Sequence, residues 1–403
     1  RGSFLAALTL VAMSLPCAAQ VFRSPVEAFT PDTILAAPET PRLIRLPAPG
    51  APLVALRLSI PLSEGPADAG AGRILYTLAV RRTRSLAGPT NARIEGSRTP
   101  WGISYTVVGS RTDVDYLAYL LREAVAEPRG MDVEFRQVRD DILGTIERRG
   151  ETPGGRIAGL LRDRVAPTTP PLDGSNASLS LLTPDRIRQV WARTHQPQRM
   201  TLVVAGDVAV EVLLASFRDI GAPPSEVTVA DTPLPPGTDR SRPEIIRHWY
   251  GEVRPFADSW DPHAEVVARL VAETIRTTGG NYEAEVQVWE TATGKFLAVV
   301  GAAYPAQANA MRQGIRQILS TTRESLTEEG VARAVDTVLE QLLMGARTPG
   351  GRATLVGRHF DATGEPRAVA QYLGALSAVS VSSVQSGLAL LAATEPVQAE
   401  VRP

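Results

Sequence analysis

The residues best able to carry chemistry are few in this chain, and they do not converge. Histidine occurs four times, as His195, His248, His263 and His359, and no two stand one helical turn apart. A helix-borne metal site needs two ligands at that spacing, so none is built from histidine pairs. Asp261, His263 and Glu265 form the one local cluster of ligand types. Asp261 reads better as a helix cap there, with Glu265 supporting the first turn. Asp140, Asp141 and Glu147 alternate with Arg136, Arg139 and Arg148, the pattern of a solvated helix face rather than a metal cradle. No Gly-x-Ser-x-Gly elbow, phosphate loop or dinucleotide fingerprint is present. Cys17 is the only cysteine, so neither a disulfide framework nor a thiol nucleophile is available beyond it.

The elements that would position such residues can be read from periodicity. Leu53 to Pro61 is a strand in which Val54, Leu56, Leu58 and Ile60 alternate with other residues. A loop from Ser63 to Gly70 leads into a helix, Gly70 to Arg82, whose apolar face is Ile74, Leu75, Leu78 and Ala79. Strands are expected at Ala92–Ser97 and Gly102–Val108, then a helix from Asp113 with Leu117, Leu120 and Leu121 inward. A charged helix runs from Met131 to Arg149 and is stopped by Gly150 and Pro153. Helices follow at Gly155–Val165 and from Thr183-Pro184-Asp185 to Thr194, then a buried strand, Met200 to Val208. Beyond a proline-crowded stretch come helices at Asp261–Thr277, Ala306–Leu326, Glu328–Ala346, Gly351–Ala362 and Val381–Leu391. Between the first two of these lie strands at Asn281–Trp289 and Lys295–Ala303.

The second half repeats the first. Thr152-Pro153-Gly154-Gly155-Arg156 returns as Thr348-Pro349-Gly350-Gly351-Arg352, each ending one helix and starting the next, about 196 positions apart. At nearly that offset Leu182-Thr183 matches Val379-Ser380, and Arg73 falls opposite Arg269. Three landmarks in matching contexts predict tandem duplication. The expected fold class is α+β, two homologous domains, each a mainly antiparallel sheet covered by helices. The expected organisation is a signal peptide over 1–19, an extended leader over 20–50, a first domain over 51–220, a Pro-rich linker over 221–243 and a second domain over 244–403.

Length and charge agree with this picture. A chain of 403 residues exceeds one ordinary core, and a net charge of −1 gives no electrostatic footprint for nucleic acid. Arg1 followed by the apolar run Phe4 to Leu15 and by Cys17-Ala18-Ala19 reads as a secretory signal peptide cleaved before Gln20. A lipidated Cys17 is the alternative, which Leu15-Pro16 fits poorly. The expectation is an exported protein, periplasmic or otherwise secreted, with no membrane span in the mature chain.

Strand, short loop and helix in this order resemble the opening of the insulinase (inverzincin) family of zinc peptidases. The Gln198-Arg199-Met200-Thr201-Leu202-Val203-Val204-Ala205-Gly206-Asp207 stretch and Leu326-Thr327-Glu328-Glu329-Gly330 resemble the same family, including mitochondrial processing peptidase. The resemblance covers nearly the whole chain after the leader. It implies that the first helix should carry His-x-x-Glu-His, two zinc ligands and a general base. The matching positions here are Arg73, Ile74, Leu75, Tyr76 and Thr77, and the third ligand's position falls near Thr145. None is a usual zinc ligand, so no cofactor is expected in this chain, and zinc only in a partner subunit.

In family members without zinc, the second domain supplies an arginine and a tyrosine to the partner's active site. The resemblance puts these at Arg276 and Tyr282, although the segment between helix and strand is shorter than in the family. An ordinary helix-end charge and an ordinary strand residue remain the other reading of the two. The resemblance thus implies a non-catalytic subunit. It would form half of a substrate-enclosing chamber with a zinc-bearing paralogue and bind peptide or unfolded protein. A homodimer is the rival assembly. The runner-up function is a binding or scaffold protein that uses the shell alone, as the core subunits of respiratory cytochrome complexes do.

Overall fold

The computed structural model describes residues 26–36, 40–167, 169–218, 220–222, 246–257, 262–278, 282–292 and 294–403. The expected signal peptide, most of the expected linker, Asp261 and residues 279–281 lie outside them. In the first half the elements are β1 (Thr33–Leu35), β2 (Arg42–Pro47), β3 (Leu53–Pro61), α1 (Ala71–Ala87), β4 (Arg93–Thr99) and β5 (Gly102–Ser110). They are followed by α2 (Val114–Val125), α3 (Asp132–Glu151), α4 (Pro153–Val165), α5 (Asn176–Leu181), α6 (Pro184–Thr194), β6 (Thr201–Gly206) and α7 (Val210–Ser216). The second half runs β7 (His248–Pro255), α8 (His263–Thr278), β8 (Glu283–Thr291), β9 (Gly294–Ala303), α9 (Ala308–Glu324) and α10 (Glu328–Gly345). It ends with α11 (Pro349–Thr363), α12 (Ala368–Ser377), α13 (Val381–Ala393) and β10 (Val397–Val401).

The duplication expected from sequence is visible as topology. The first sheet has the order β1-β2-β6-β3-β5-β4 and the second β10-β7-β9-β8. The run β6-β3-β5-β4 matches β10-β7-β9-β8 strand for strand, every neighbouring pair antiparallel, and β1 and β2 extend the first sheet beyond β6. The repeated Thr-Pro-Gly-Gly-Arg has one job in both halves. Thr152 and Thr348 cap α4 and α11, accepting from the amides of Gly155 and Gly351. A Cβ on Gly155 would lie 2.1 Å from the Arg149 carbonyl oxygen, and one on Gly351 1.9 Å from that of Gly345. Only glycine lets the new helix start so close to the end of the old one.

Each sheet is covered on both faces. One face of the first packs Val54, Leu56, Leu58 and Ile60 against α1, α2 and α6. The opposite face carries Ile44, Leu46, Ala55, Val203 and Ala205, and its cover is Ala353, Val356 and Phe360 of α11, a helix from the other half. The second sheet reciprocates, with Ile157 and Leu161 of α4 packing on Val253, Ala298, Ala399 and Val401. Each half therefore lends one helix to the other.

That exchange explains a buried charge. Arg57, on the second face of β3, is 1% exposed and pairs through Nη2 with Asp361 Oδ2 of α11 at 2.8 Å, while Ser59 donates to Asp361 Oδ1 at 2.7 Å. Gly357, one turn before Asp361, makes the space, since a Cβ there would lie 2.0 Å from Arg57 Nη1.

Two expectations need correction. Residues 42–47 are not a leader along the surface. They form β2, parallel to β6, with Leu43, Ile44 and Leu46 fully buried. Its sequence, Arg-Leu-Ile-Arg-Leu-Pro, puts Leu43 and the adjacent Ile44 on opposite covered faces and alternates with neither period, so periodicity gave no signal. The third helix is not stopped at Gly150 either but continues to Glu151, and Thr152 then opens α4. Among the described residues no single helix is long and apolar enough to cross a membrane. The pair α12 and α13 reaches that composition only together and is bent by 103°. Its Leu373, Leu376, Val384, Leu388 and Leu391 are core residues.

Candidate functional site at the head of the first helix

The N-terminus of α1 is held by a residue well upstream of it. Glu64, 3% exposed at its side chain, accepts from the Gly72 amide at 2.6 Å and from the Gly70 amide at 3.4 Å. A carboxylate there meets the unpaired amides and the positive end of the helix. Arg98 of β4 sits 3.4 Å from the same carboxylate. Burial raises the Glu64 carboxyl above the ordinary carboxylate range, with Arg98 and the two amides opposing.

On the first exposed turn Arg73 donates through Nη1 to the Tyr76 hydroxyl, and its guanidinium lies 5.2 Å from the centroid of that ring. Thr77 donates back to the Arg73 carbonyl at 2.7 Å. The Tyr76 ring lies over β4 at Gly96, where a Cβ would meet it at 2.8 Å. Burial raises the Tyr76 hydroxyl above its ordinary value; Arg73 opposes this and Asp173 adds to it.

Helix α3 brings up the remaining position. Arg81 pairs with Asp141 at 2.6 Å, and eight residues back along α1 and eight forward along α3, Arg73 and Arg149 share Asp173 at 3.8 and 3.2 Å. The two helices therefore run antiparallel, and Thr77 and Thr145 stand at the same level between these ties. Thr145 donates to the Asp141 carbonyl at 2.8 Å and accepts from Arg148 at 3.2 Å.

These side chains do not fit zinc. Arg73 is a cation already bonded to Tyr76, and both threonine hydroxyls return to their own helix backbones. Among the described residues no group of three or more His, Cys, Asp or Glu is arranged to hold a metal. Glu265, from the sequence cluster at 261–265, instead takes Lys295 Nζ at 2.8 Å and the Tyr372 hydroxyl at 2.9 Å. His195 and His359 are core residues, and burial pushes them down to about 3 and about 4 respectively.

Arg276 and Tyr282 are not tied to each other by any hydrogen bond among the described residues. Arg276 is 75% exposed, with Glu273 at 3.9 Å. The Tyr282 ring lies against α9, its hydroxyl 2.5 Å from where a Cβ on Gly314 would sit, and burial raises its pKa. Sequence reasoning missed Glu64, Arg98 and Asp173. Glu64 caps from beyond the usual local window, and the other two arrive from distant elements.

No protein-family model matches the chain. An uncharacterized zinc protease of Mycobacterium tuberculosis is 24% identical over 307 residues, 70% of this chain and 69% of the relative. Among solved structures, a protease from Helicobacter pylori superposes with a TM-score of 0.77 at 13% identity, covering 93% of this chain and 100% of that one. A peptidase M16 inactive domain from Pseudomonas fluorescens gives 0.73 at 10% identity, covering 91% and 97%. A chain of Complex III2 from Candida albicans gives 0.71 at 10% identity, covering 91% and 95%. The fold thus spans almost the whole chain in each, and the sequence relationship spans most of it. The chain thus has the fold of M16-like peptidases and a distant sequence likeness to a zinc protease over most of its length, with arginine, tyrosine and threonine where the resemblance calls for the zinc motif.

Proposed function

We propose that this chain is the non-catalytic subunit of an exported zinc peptidase. It forms one half of a substrate-enclosing chamber and binds peptide for a zinc-bearing partner. The observation that carries this reading is what stands at the motif positions. Arg73 and Tyr76 are bonded to each other, and Thr77 and Thr145 to their own helices, so no side chain there is offered to a metal or to a water nucleophile. The likeness to a domain described as an inactive M16 peptidase supports the same reading. In this proposal Arg276 and Tyr282 face the partner's substrate, where a hydroxyl donor would stabilise the developing oxyanion.

The test is capture of the tagged chain from its native host, followed by native mass spectrometry and zinc analysis. The expected species is a heterodimer with one zinc, carried by the partner. A complex made only of this chain would overturn the pairing. Within the heterodimer, Tyr282→Phe should lower turnover about a hundredfold with assembly intact, and full turnover would remove Tyr282 from the site. The likeness to a chain of Complex III2 favours a second reading, a scaffold that uses the shell without proteolysis. Capture with a larger assembly that contains no zinc-motif paralogue would select it.

A further inference from the structure

A small cavity lies inside the first half, under α1. Arg82 of α1, Tyr105 of β5, Trp191 of α6 and His195 just past that helix line it, and Ala126 and Met131 close it from the segment between α2 and α3. Its volume is about 10 Å³, room for one water and nothing larger. Tyr105 and His195 are each 1% exposed, so the polar groups they bring are far from bulk solvent.

Each of these groups has one bond left to make. Arg82 closes the C-terminal end of α2, donating through Nη1 to the Glu127 carbonyl at 3.2 Å and through Nη2 to those of Ala126, at 3.1 Å, and Glu123. Its Nε–H is buried without a partner. The tautomer of His195 follows from its neighbour. Thr194 gives its one hydroxyl proton to the Val190 carbonyl at 2.7 Å, so at 3.0 Å from His195 Nδ1 it can only accept. The ring therefore carries its proton on Nδ1, and Nε2 is a bare acceptor. Among the described residues neither that nitrogen nor the Tyr105 hydroxyl has a hydrogen-bond partner. One donor, one acceptor and one group that can be either thus surround a space of molecular size. Buried polar groups left unmet are costly, and three hydrogen bonds are the usual complement of a buried water.

We propose that this cavity is a binding site for one structural water, which accepts from Arg82 Nε, donates to His195 Nε2 and shares a third bond with the Tyr105 hydroxyl. It pins α1, the helix that carries Arg73, Tyr76 and Thr77, to β5 and to the end of α6. The charge on Arg82 turns a metal ion away, and the bare nitrogen of His195 turns an anion away. A neutral molecule that both donates and accepts is what remains, and the volume limits it to water.

The test uses the full chain with nitrogen-15 in its histidine rings, His195 being assigned by the signals that His195→Asn removes. At neutral pH His195 should show a protonated Nδ1 and a bare Nε2 whose resonance is displaced by an accepted hydrogen bond. A proton on Nε2 instead, or a bare Nε2 at the position of an unbonded nitrogen, would overturn the proposal. Tyr105→Phe keeps the ring and removes only the hydroxyl. In that variant Nε2 should keep its displacement, because the water stays with two partners. Its return to the unbonded position would mean that the hydroxyl bonds the nitrogen directly, and the bridge falls. A high-resolution crystal structure of the parent chain decides the matter even if Tyr105→Phe does not fold. It should show one water within hydrogen-bonding distance of Arg82 Nε, Tyr105 Oη and His195 Nε2. A dry cavity, a direct contact among these side chains, or an ion in the space would overturn the assignment.

Discussion

Removing the carboxylate of Asp361 should cost far more than one surface ion pair. Arg57 is buried to 1% of its side-chain surface, and Asp361 is its one anionic partner among the described residues. Two further guanidinium nitrogens, Nε and Nη1, are buried without a hydrogen-bond partner. Asp361→Ala therefore strands a cation under α11 and deprives Ser59 of its 2.7 Å acceptor. Breaking a buried pair from one side costs about 3–5 kcal/mol, because the remaining charge is desolvated and unmatched. Replacing both partners, as Arg57→Met with Asp361→Leu, should instead leave stability within about 1 kcal/mol of the parent, since the desolvation cost goes with the charge. Gly357→Ala adds an independent check. Its methyl must displace Nη1, so it should destabilise the parent by about 1–3 kcal/mol, with much of the loss relieved beside Arg57→Met. The assay is urea unfolding followed by tryptophan fluorescence, from Trp101 and Trp191 in the first half and Trp249, Trp260 and Trp289 in the second; urea avoids the screening that guanidinium would bring. An Asp361→Ala protein within about 1 kcal/mol of the parent, with the double variant the weaker of the two, would refute the reasoning.

Stability should fall as pH drops below about 6.5. Folded His195 and His359 titrate near 3 and 4 while their unfolded value is 6.5. Between those values the unfolded chain binds more protons, so stability is full above the unfolded pKa and is lost on acidification. The slope approaches about 1.4 kcal/mol per pH unit for each histidine, and His195→Asn should remove one such contribution from pH-dependent melts. Thr348→Ala should cost about 1 kcal/mol through loss of the α11 cap. Gly351→Ala should cost more, because its methyl meets a carbonyl oxygen rather than a flexible side chain. The isolated chain should hold well under one zinc per molecule and leave unfolded peptides uncut; stoichiometric zinc with chelator-sensitive cleavage would contradict the reading of the motif positions.

What was legible in the sequence was whatever alternates in polarity, whether or not its second face is covered. Strand β3 and helix α1 declare themselves because one face is apolar and the other is not, at periods of two and of 3.6. The duplication could be read because a tight helix junction needs the same glycines twice. Strand β2 was illegible because Arg42, Leu43, Ile44, Arg45 and Leu46 follow no alternation, the adjacent Leu43 and Ile44 being buried on opposite faces. The burial of Arg57 was equally hidden: alternation put it on the second face of β3, and only the arrival of α11 buries that face. At the candidate site the motif positions could be found by their place in α1, whereas Glu64 and Asp173, which fix the geometry of Arg73, come from loops with no periodic signature.

The exchanged helices bear on the order in which the protein can be made. The contact from Arg57 to Asp361 spans 304 residues, so a nascent chain has completed its first sheet long before the helix that covers Ile44, Leu46, Val203 and Ala205 is synthesised. Until then one whole face of that sheet is an unprotected apolar surface, the form most prone to sticking to other chains. A chaperone that shields this face during synthesis should be needed until translation passes Thr363, and stop codons placed before α11 should yield aggregates rather than a soluble half. Co-expressed in one cell, the two halves should by contrast rescue each other's solubility without the covalent link, because each carries the helix that the other's sheet lacks.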